Sequence, residues 1–150
     1  MSDPARQPVG VFDSGVGGLT VVRRIQERLP AEAILYFGDT ARLPYGPKSP
    51  ATVRRYAREA AAFLRSRGVK AIVVACNTAT AHALETLAAE LPIPVLGVIE
   101  PGARAAVRAT RSGRIGVIGT AGTIASGAYA RALRRLLPGA RIYARACPLF

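Results

Sequence analysis

The stretch AIVVACNT, residues 71–78, determines the predicted fold because an apolar run ends there in a polar triplet. A short run of small and β-branched residues is typical of a buried parallel strand. The Ala-rich sequence that continues to Leu91 predicts a helix beginning near Asn77. In open α/β sheets, ligands bind at the carboxyl ends of the strands. We therefore expect Cys76 to lie in a ligand-binding crevice.

Cys76 is also placed where this helix would begin. The free N–H groups and the positive dipole end of a helix N-terminus stabilise an anion, so the sequence predicts a lowered thiol pKa for Cys76 and a role as base or nucleophile. A second interpretation stays open at this point, in which Cys76 is buried and inert and Thr78 caps the helix.

The same alternation of strand and helix continues along the whole chain. Helical patterns cover residues 18–29, 50–67, 77–91, 102–110 and 124–137. Strand patterns cover residues 8–12, 33–37, 71–75, 95–98, 115–118 and 141–144. Such alternation predicts an α/β fold with a mostly parallel sheet and helices on both faces.

The segment 92–102 indicates a change of domain because it contains three prolines and two glycines. We expect a first α/β domain over residues 1–99 and the beginning of a second over residues 100–150. The chain ends soon after the predicted strand 141–144 with no closing helix, so the pattern predicts an incomplete second domain and a chain that is part of something longer.

The composition favours a globular protein, because 150 residues of which half are hydrophobic can bury a core. No apolar run approaches the roughly 20 residues that cross a bilayer, so no membrane is expected as a partner. No apolar stretch of signal-peptide type follows residues 1–6. The cytoplasm is therefore the expected compartment, where Cys76 and Cys147 stay reduced.

The net charge of +12 raises the question of nucleic-acid binding. Yet the basic residues are scattered over predicted helices, and no aromatic ladder accompanies them to stack bases. We interpret them as solvated helix faces and do not expect nucleic acid as a partner. A basic nucleic-acid-binding module remains the alternative function from a different class.

Two further motifs are predicted to follow strands at the same edge of the sheet. In VFDSGVGG, residues 11–18, Asp13 and Ser14 precede glycines whose N–H groups can approach an anion. A structural turn capped by either side chain explains this pattern equally well. In GDTARLPYGPKS, residues 38–49, the prolines and glycines would hold Tyr45 and Gly46 rigidly. The alternative for this segment is an ordered connector.

His82 is the sole histidine of the chain. A lone histidine in an Ala-rich helix is more often packed or exposed than a ligand. No cluster of cysteine or histidine with zinc-ligand spacing stands near it, so the sequence predicts no metal site.

Together, the three motifs resemble glutamate racemases, within the aspartate/glutamate racemase family. The matching segments are residues 11–18, 38–46 and 74–79, in the family's order and spacing, and later segments at 115–123 and 146–148 are also similar. The resemblance implies a two-domain racemase fold and the conversion of L-glutamate to D-glutamate without a cofactor, for peptidoglycan synthesis. It implies glutamate as the small-molecule partner and is compatible with a homodimer.

The resemblance also implies a role for each matching residue. Cys76 corresponds to one of two catalytic thiols that flank the α-carbon of the substrate. The implied substrate-binding residues are Asp13, Ser14, Tyr45, Gly46, Asn77 and Thr78. Our hypothesis for Asp13 is that it also assists proton transfer at Cys76. Inversion needs a second group opposite the first, because the proton leaves one face and returns to the other.

The second cysteine of the family lies in a later Cys-Thr-His segment, which this sequence lacks. Cys147 also follows a predicted strand, but Pro148 and Leu149 offer it no hydroxyl or imidazole partner, so we do not expect it to act as a base. The chain alone is therefore expected to be inactive. An aspartate or other amino-acid racemase is the alternative enzyme.

Overall fold

The computed structural model describes residues 4–147, and within them six strands form two sheets. The strands are β1 (Val9–Asp13), β2 (Ile34–Gly38), β3 (Ala71–Val74), β4 (Val95–Gly97), β5 (Arg114–Gly119) and β6 (Arg141–Ala146). The first sheet has the order β2-β1-β3-β4, and the second pairs β5 with β6. Every pairing is parallel.

Helices connect consecutive strands, as parallel pairing requires. They are α1 (Leu19–Arg28), α2 (Pro50–Ser66), α3 (Asn77–Glu90), α4 (Ile99–Ala109), α5 (Ala121–Ala125) and α6 (Ala128–Leu136), with a 3-10 helix, Pro4–Arg6, before β1. Within residues 4–147, no helix combines the length and apolarity that crossing a bilayer requires. The predicted α/β fold with parallel strands is confirmed.

β1 is the strand around which the first sheet is built. Val11 and Phe12 point to opposite faces, since side chains alternate along a strand, and both are 0% exposed. Phe12 packs in a cluster with Leu64 of α2 and Leu87 of α3. The burial of successive residues means that both faces of β1 are covered.

The register of the first sheet brings the ends of its strands together. Asp13 pairs with Gly38, and Phe12 pairs with both Phe37 and Val74. The backbone N–H of Ala75 then donates to the carbonyl of Phe12 at 2.8 Å. The segment that follows β3 therefore runs beside the end of β1, at the carboxyl edge of the sheet.

The second sheet has its own hydrophobic cluster. Ile115 of β5 packs with Ile99 of α4 and Leu133 of α6. On the opposite face, Ile118 and Tyr143 are 64% and 62% exposed. Among the described residues, this sheet is therefore covered on one face only.

The domain division predicted near Glu100 stays a prediction. The last residues of the predicted second domain, 148–150, lie outside the described residues, and with them the predicted surroundings of Cys147 at Pro148 and Leu149.

The predicted helix start at Gly102 was wrong, because α4 begins at Ile99. The helix therefore includes Pro101, which belongs to the segment 92–102 that was interpreted as a change of domain. A proline in the first turn removes no intrahelical hydrogen bond, since the N–H groups of that turn have no acceptor within the helix.

The single helix predicted over residues 124–137 is in fact two helices, α5 and α6. Gly127 separates them with φ +65°, a left-handed conformation that glycine adopts without steric cost. The hydroxyl of Ser126 accepts the N–H of Ala128 at 3.1 Å and so helps to begin α6. The break allows the two helices to take different directions.

Leu87 provides a test of the core that supports α3. The side chain is 1% exposed, and replacing it with alanine should lower the free energy of unfolding by about 2–5 kcal/mol, because buried contacts are lost and a cavity is left. Leu29→Ala is the matched control at a leucine that is 52% exposed. Its expected effect in urea denaturation is below about 1 kcal/mol. Equal losses in the two variants would contradict the packing described here.

Candidate active site

A cavity of about 670 Å³ opens at the carboxyl edge of the first sheet. It lies between the segments that follow β1, β2 and β3 and the start of α5. All of the residues predicted to form the site line this one cavity: Asp13, Ser14, Tyr45, Gly46, Cys76, Asn77 and Thr78. The structure therefore brings together three motifs that are distant in sequence.

Asp13 shapes the turn between β1 and α1. Its Oδ2 accepts the backbone N–H groups of Gly15 and Gly18, each at 3.1 Å. The structural turn that the sequence offered as an alternative is thus present. Because Asp13 also lines the cavity, its carboxylate serves the turn and places negative charge beside the site at the same time.

Cys76 is the N-cap of α3. Its Sγ accepts the N–H of Ala79 at 3.4 Å, so the cap is the cysteine and not Thr78. The hydroxyl oxygen of Ser14 lies 3.7 Å from the same sulfur. The thiol is buried, but it lines the cavity and can meet a ligand there.

The prediction of a lowered pKa for Cys76 was wrong. Burial raises the pKa of the Cys76 thiol, and the negative charge of Asp13 raises it further. The hydrogen bonds from Ala79 and Ser14 act in the opposite direction but do not offset the burial. The sequence indicated correctly that Cys76 lies at a helix terminus. The thiol also loses its hydration on burial, and this effect depends on how segments distant in the chain pack around it.

Tyr45 uses its hydroxyl within the protein. The phenol donates to the buried carboxylate of Asp39, which also accepts from Arg42 Nε at 2.7 Å. Burial raises the pKa of Tyr45 well above its ordinary value, and the bond to Asp39 adds to this effect. The Tyr45 hydroxyl is therefore already engaged, and the groups that this loop can offer to a ligand are backbone N–H groups.

Gly46 joins the loop after β2 to the second sheet. Its carbonyl accepts the N–H of Gly122 at 3.0 Å. Within residues 4–147, the N–H groups of Tyr45 and Gly46 donate to no other residue, so both are free to bind an anion.

The cavity residues that the sequence reasoning missed include three polar ones from the second half of the chain: Thr120, Thr123 and Tyr129. The hydroxyl of Thr78 lies 2.8 Å from that of Thr120 and 3.1 Å from that of Thr123. A signal for Thr120 existed, because it directly follows β5 just as Cys76 closely follows β3. Tyr129 lies on a helix, and no local pattern distinguishes it.

His82 is partly buried and packs against the turn that begins α5. Its Nε2 lies 3.0 Å from the carbonyl oxygen of Gly122, which matches the packed role expected for a lone histidine. No group of metal-binding side chains occurs in the described part of the chain.

The arrangement combines a thiol with several hydrogen-bond donors. Hydroxyl and backbone N–H groups bind carboxylates and stabilise the negative charge that forms when a proton leaves the neighbouring carbon. A cysteine whose sulfur faces the same cavity can accept that proton as a thiolate and return it as a thiol. Acid–base chemistry at a carbon next to a carboxylate is the reaction class that these groups support.

Comparison with known proteins indicates one family. The model of the Asp/Glu/Hydantoin racemase family matches residues 9–148. The glutamate racemase of Geobacter metallireducens is 63% identical over 142 residues, which are 95% of this chain and 53% of that protein. The glutamate racemase of Thermus thermophilus is 57% identical over 150 residues, 100% of this chain and 54% of that protein. The chain spans about half the length of the curated relatives it matches.

Solved structures show the same fold. A glutamate racemase isoform from Bacillus anthracis has a TM-score of 0.93 and 51% identity, covering 96% of this chain and 54% of its own. The glutamate racemase of Francisella tularensis, solved in complex with D-glutamate, has a TM-score of 0.89 and 44% identity, covering 97% of this chain and 55% of its own. By sequence and by fold, the chain belongs to the Asp/Glu/Hydantoin racemase family.

Proposed function

We propose that the protein interconverts L- and D-glutamate without a cofactor and that Cys76 exchanges the α-proton on one face of the substrate. The observation that carries this proposal is the position of the Cys76 thiol in a cavity lined by hydroxyl and amide donors. Relatives named glutamate racemase, and the Francisella structure with D-glutamate, support the choice of substrate.

Substrate binding uses the donors that surround the thiol. The hydroxyls of Ser14 and Thr78 and the N–H groups of Tyr45 and Gly46 bind the two carboxylates. The same donors stabilise the charge that develops as the α-proton leaves, and donors fixed in turns need no reorganisation at that moment. Asn77 contributes its side-chain amide.

Proton transfer at Cys76 makes use of the raised pKa. Because its pKa is raised, the Cys76 thiolate is a stronger base than an ordinary thiolate. It therefore takes the α-proton more readily. In the opposite direction the protonated thiol returns its proton to the carbanion. Asp13 assists by keeping a negative charge near the sulfur, which raises the pKa of Cys76.

Inversion requires a second thiol on the other face of the α-carbon. The second thiol donates a proton to one face of the α-carbon, and Cys76 takes the proton from the other face. The α-carbon is then protonated again, with the opposite configuration. Cys147 is not among the residues that line the cavity. We propose that the second thiol lies outside residues 4–147.

The wider setting follows from the resemblance. Production of D-glutamate for peptidoglycan, a cytoplasmic location and a homodimer belong to the proposal for the whole protein. Aspartate remains the alternative substrate, because discrimination of one methylene group is worth only about 1–3 kcal/mol. The nucleic-acid-binding alternative rests on the net charge of +12 alone, and several arginines, such as Arg23 and Arg58, pair with glutamates on the surface.

Replacement of Cys76 tests the proposed base. Cys76→Ala should lower the rate of α-proton exchange in D2O by at least about 100-fold for the glutamate enantiomer whose α-proton faces Cys76, because its proton acceptor is lost. The rate is measured by NMR for both enantiomers of glutamate and of aspartate. The protein used for the measurement includes any native sequence that continues the chain. Cys147→Ala is the matched control and should retain exchange, since Cys147 lies outside the cavity.

Two outcomes of this experiment would contradict the proposal. Exchange that survives Cys76→Ala for both L- and D-glutamate would assign the base to another residue. A folded protein that exchanges no amino acid would exclude the racemase, and faster exchange of aspartate than of glutamate would change the substrate.

The pH dependence of thiol labelling tests the electrostatics of the site. Because burial raises the pKa of Cys76, the iodoacetamide reaction at this residue should have its midpoint above the value of about 8.5 found for an unperturbed cysteine. A peptide with the sequence of residues 71–79 is the matched control. Ser14→Ala removes a hydrogen bond that lowers the pKa, so it should move the midpoint further upward. A midpoint for the folded protein at or below that of the peptide would contradict this account.

A further inference from the structure

Tyr129 connects α6 to the first residue of α3. Its ring packs with the second hydrophobic cluster and lies beside Gly102 of α4. A Cβ at Gly102 would come within 3.2 Å of the phenol oxygen and 3.4 Å of the ring, so this glycine provides the space in which the phenol lies. The phenol oxygen donates to Asn77 Oδ1 at 2.7 Å.

Asn77 is exposed, whereas both of its neighbours, Cys76 and Thr78, are buried. Because Asn77 is not held by burial, the hydrogen bond from Tyr129 fixes its side chain. Within residues 4–147, the side chain of Asn77 makes no hydrogen bond other than the one with Tyr129. A side-chain amide offers one acceptor oxygen and one donor nitrogen. Occupation of the oxygen by Tyr129 leaves the nitrogen as the free polar group.

We propose that Tyr129 is a positioning residue, which holds the Asn77 amide so that its Nδ2 faces the cavity and binds a substrate carboxylate. This inference rests on the proposed racemase function. In the opposite orientation, Oδ1 would face the carboxylate, and two acceptors would repel each other. An amide that is already oriented does not have to be ordered when the substrate binds, so the substrate binds more tightly.

The surroundings of Tyr129 keep it suited to this role. The phenol of Tyr129 is protonated near neutral pH, as an ordinary tyrosine is, and burial raises its pKa further, so it can donate to Asn77. The cluster around Ile99 and Leu133 supports the ring, so the hydroxyl reaches the site from a packed position.

The Tyr129→Phe variant tests the inference, because it keeps the ring and removes only the hydroxyl. The KM for glutamate should rise roughly threefold to tenfold, as expected for loss of one neutral hydrogen bond, while kcat changes less. Tyr143→Phe is the matched control, at an exposed tyrosine whose hydroxyl makes no hydrogen bond within the described residues, and it should leave KM unchanged.

A double-mutant cycle identifies the residue through which Tyr129 acts. If the effect passes through Asn77, then Tyr129→Phe should add nothing to the KM of Asn77→Ala. Additive effects of the two substitutions would overturn the inference.

Two further results are distinguished by the same measurements. A lower melting temperature of Tyr129→Phe with an unchanged KM would make Tyr129 a structural contact between α3 and α6 and overturn the inference, while the racemase would stand. A folded wild-type protein without glutamate exchange would overturn the proposed function and this inference together.

Discussion

The cavity depends on close contacts at glycines, where no Cβ would fit. A Cβ would come within 2.7 Å or less of a neighbouring atom at Gly18, Gly38, Gly46 and Gly122. At Gly38 and Gly122, that neighbour is a backbone carbonyl oxygen, which cannot rotate aside as a side chain can. The turns after β1 and β2 and the start of α5 therefore form one wall, and the positions of its N–H donors follow from the backbone rather than from flexible side chains.

Parallel register explains why much of the site could be predicted from the sequence. Residues that directly follow adjacent parallel strands meet at one edge, so Asp13 and Cys76 could be placed together from strand patterns alone. Thr120 and Tyr129 could not, because they reach the cavity from the second sheet. Their placement depends on tertiary contacts, such as that between His82 and Gly122, which no local pattern encodes.

The pKa of Cys76 could not be predicted from the neighbouring sequence, because it is the balance of a local and a non-local effect. A helix terminus is visible in the sequence, and its N–H groups do lower the pKa of the thiol. The opposing effect, loss of hydration, comes from segments distant in the chain and is the larger of the two. For a nucleophile this balance would be unfavourable, but for a base that must take a proton from carbon, greater basicity is an advantage.

The capping of α3 by Cys76 joins the chemistry of the sulfur to the rigidity of the helix. Because a charged acceptor forms a stronger hydrogen bond than a neutral one, the bond from Ala79 is strongest when the sulfur is a thiolate. The first turn of α3, which carries Asn77 and Thr78, is then most firmly held when the proposed base is ready to receive a proton. Oxidation of the sulfur would replace the atom that caps α3, so a single chemical lesion would remove the proposed base and alter the first turn of α3 together.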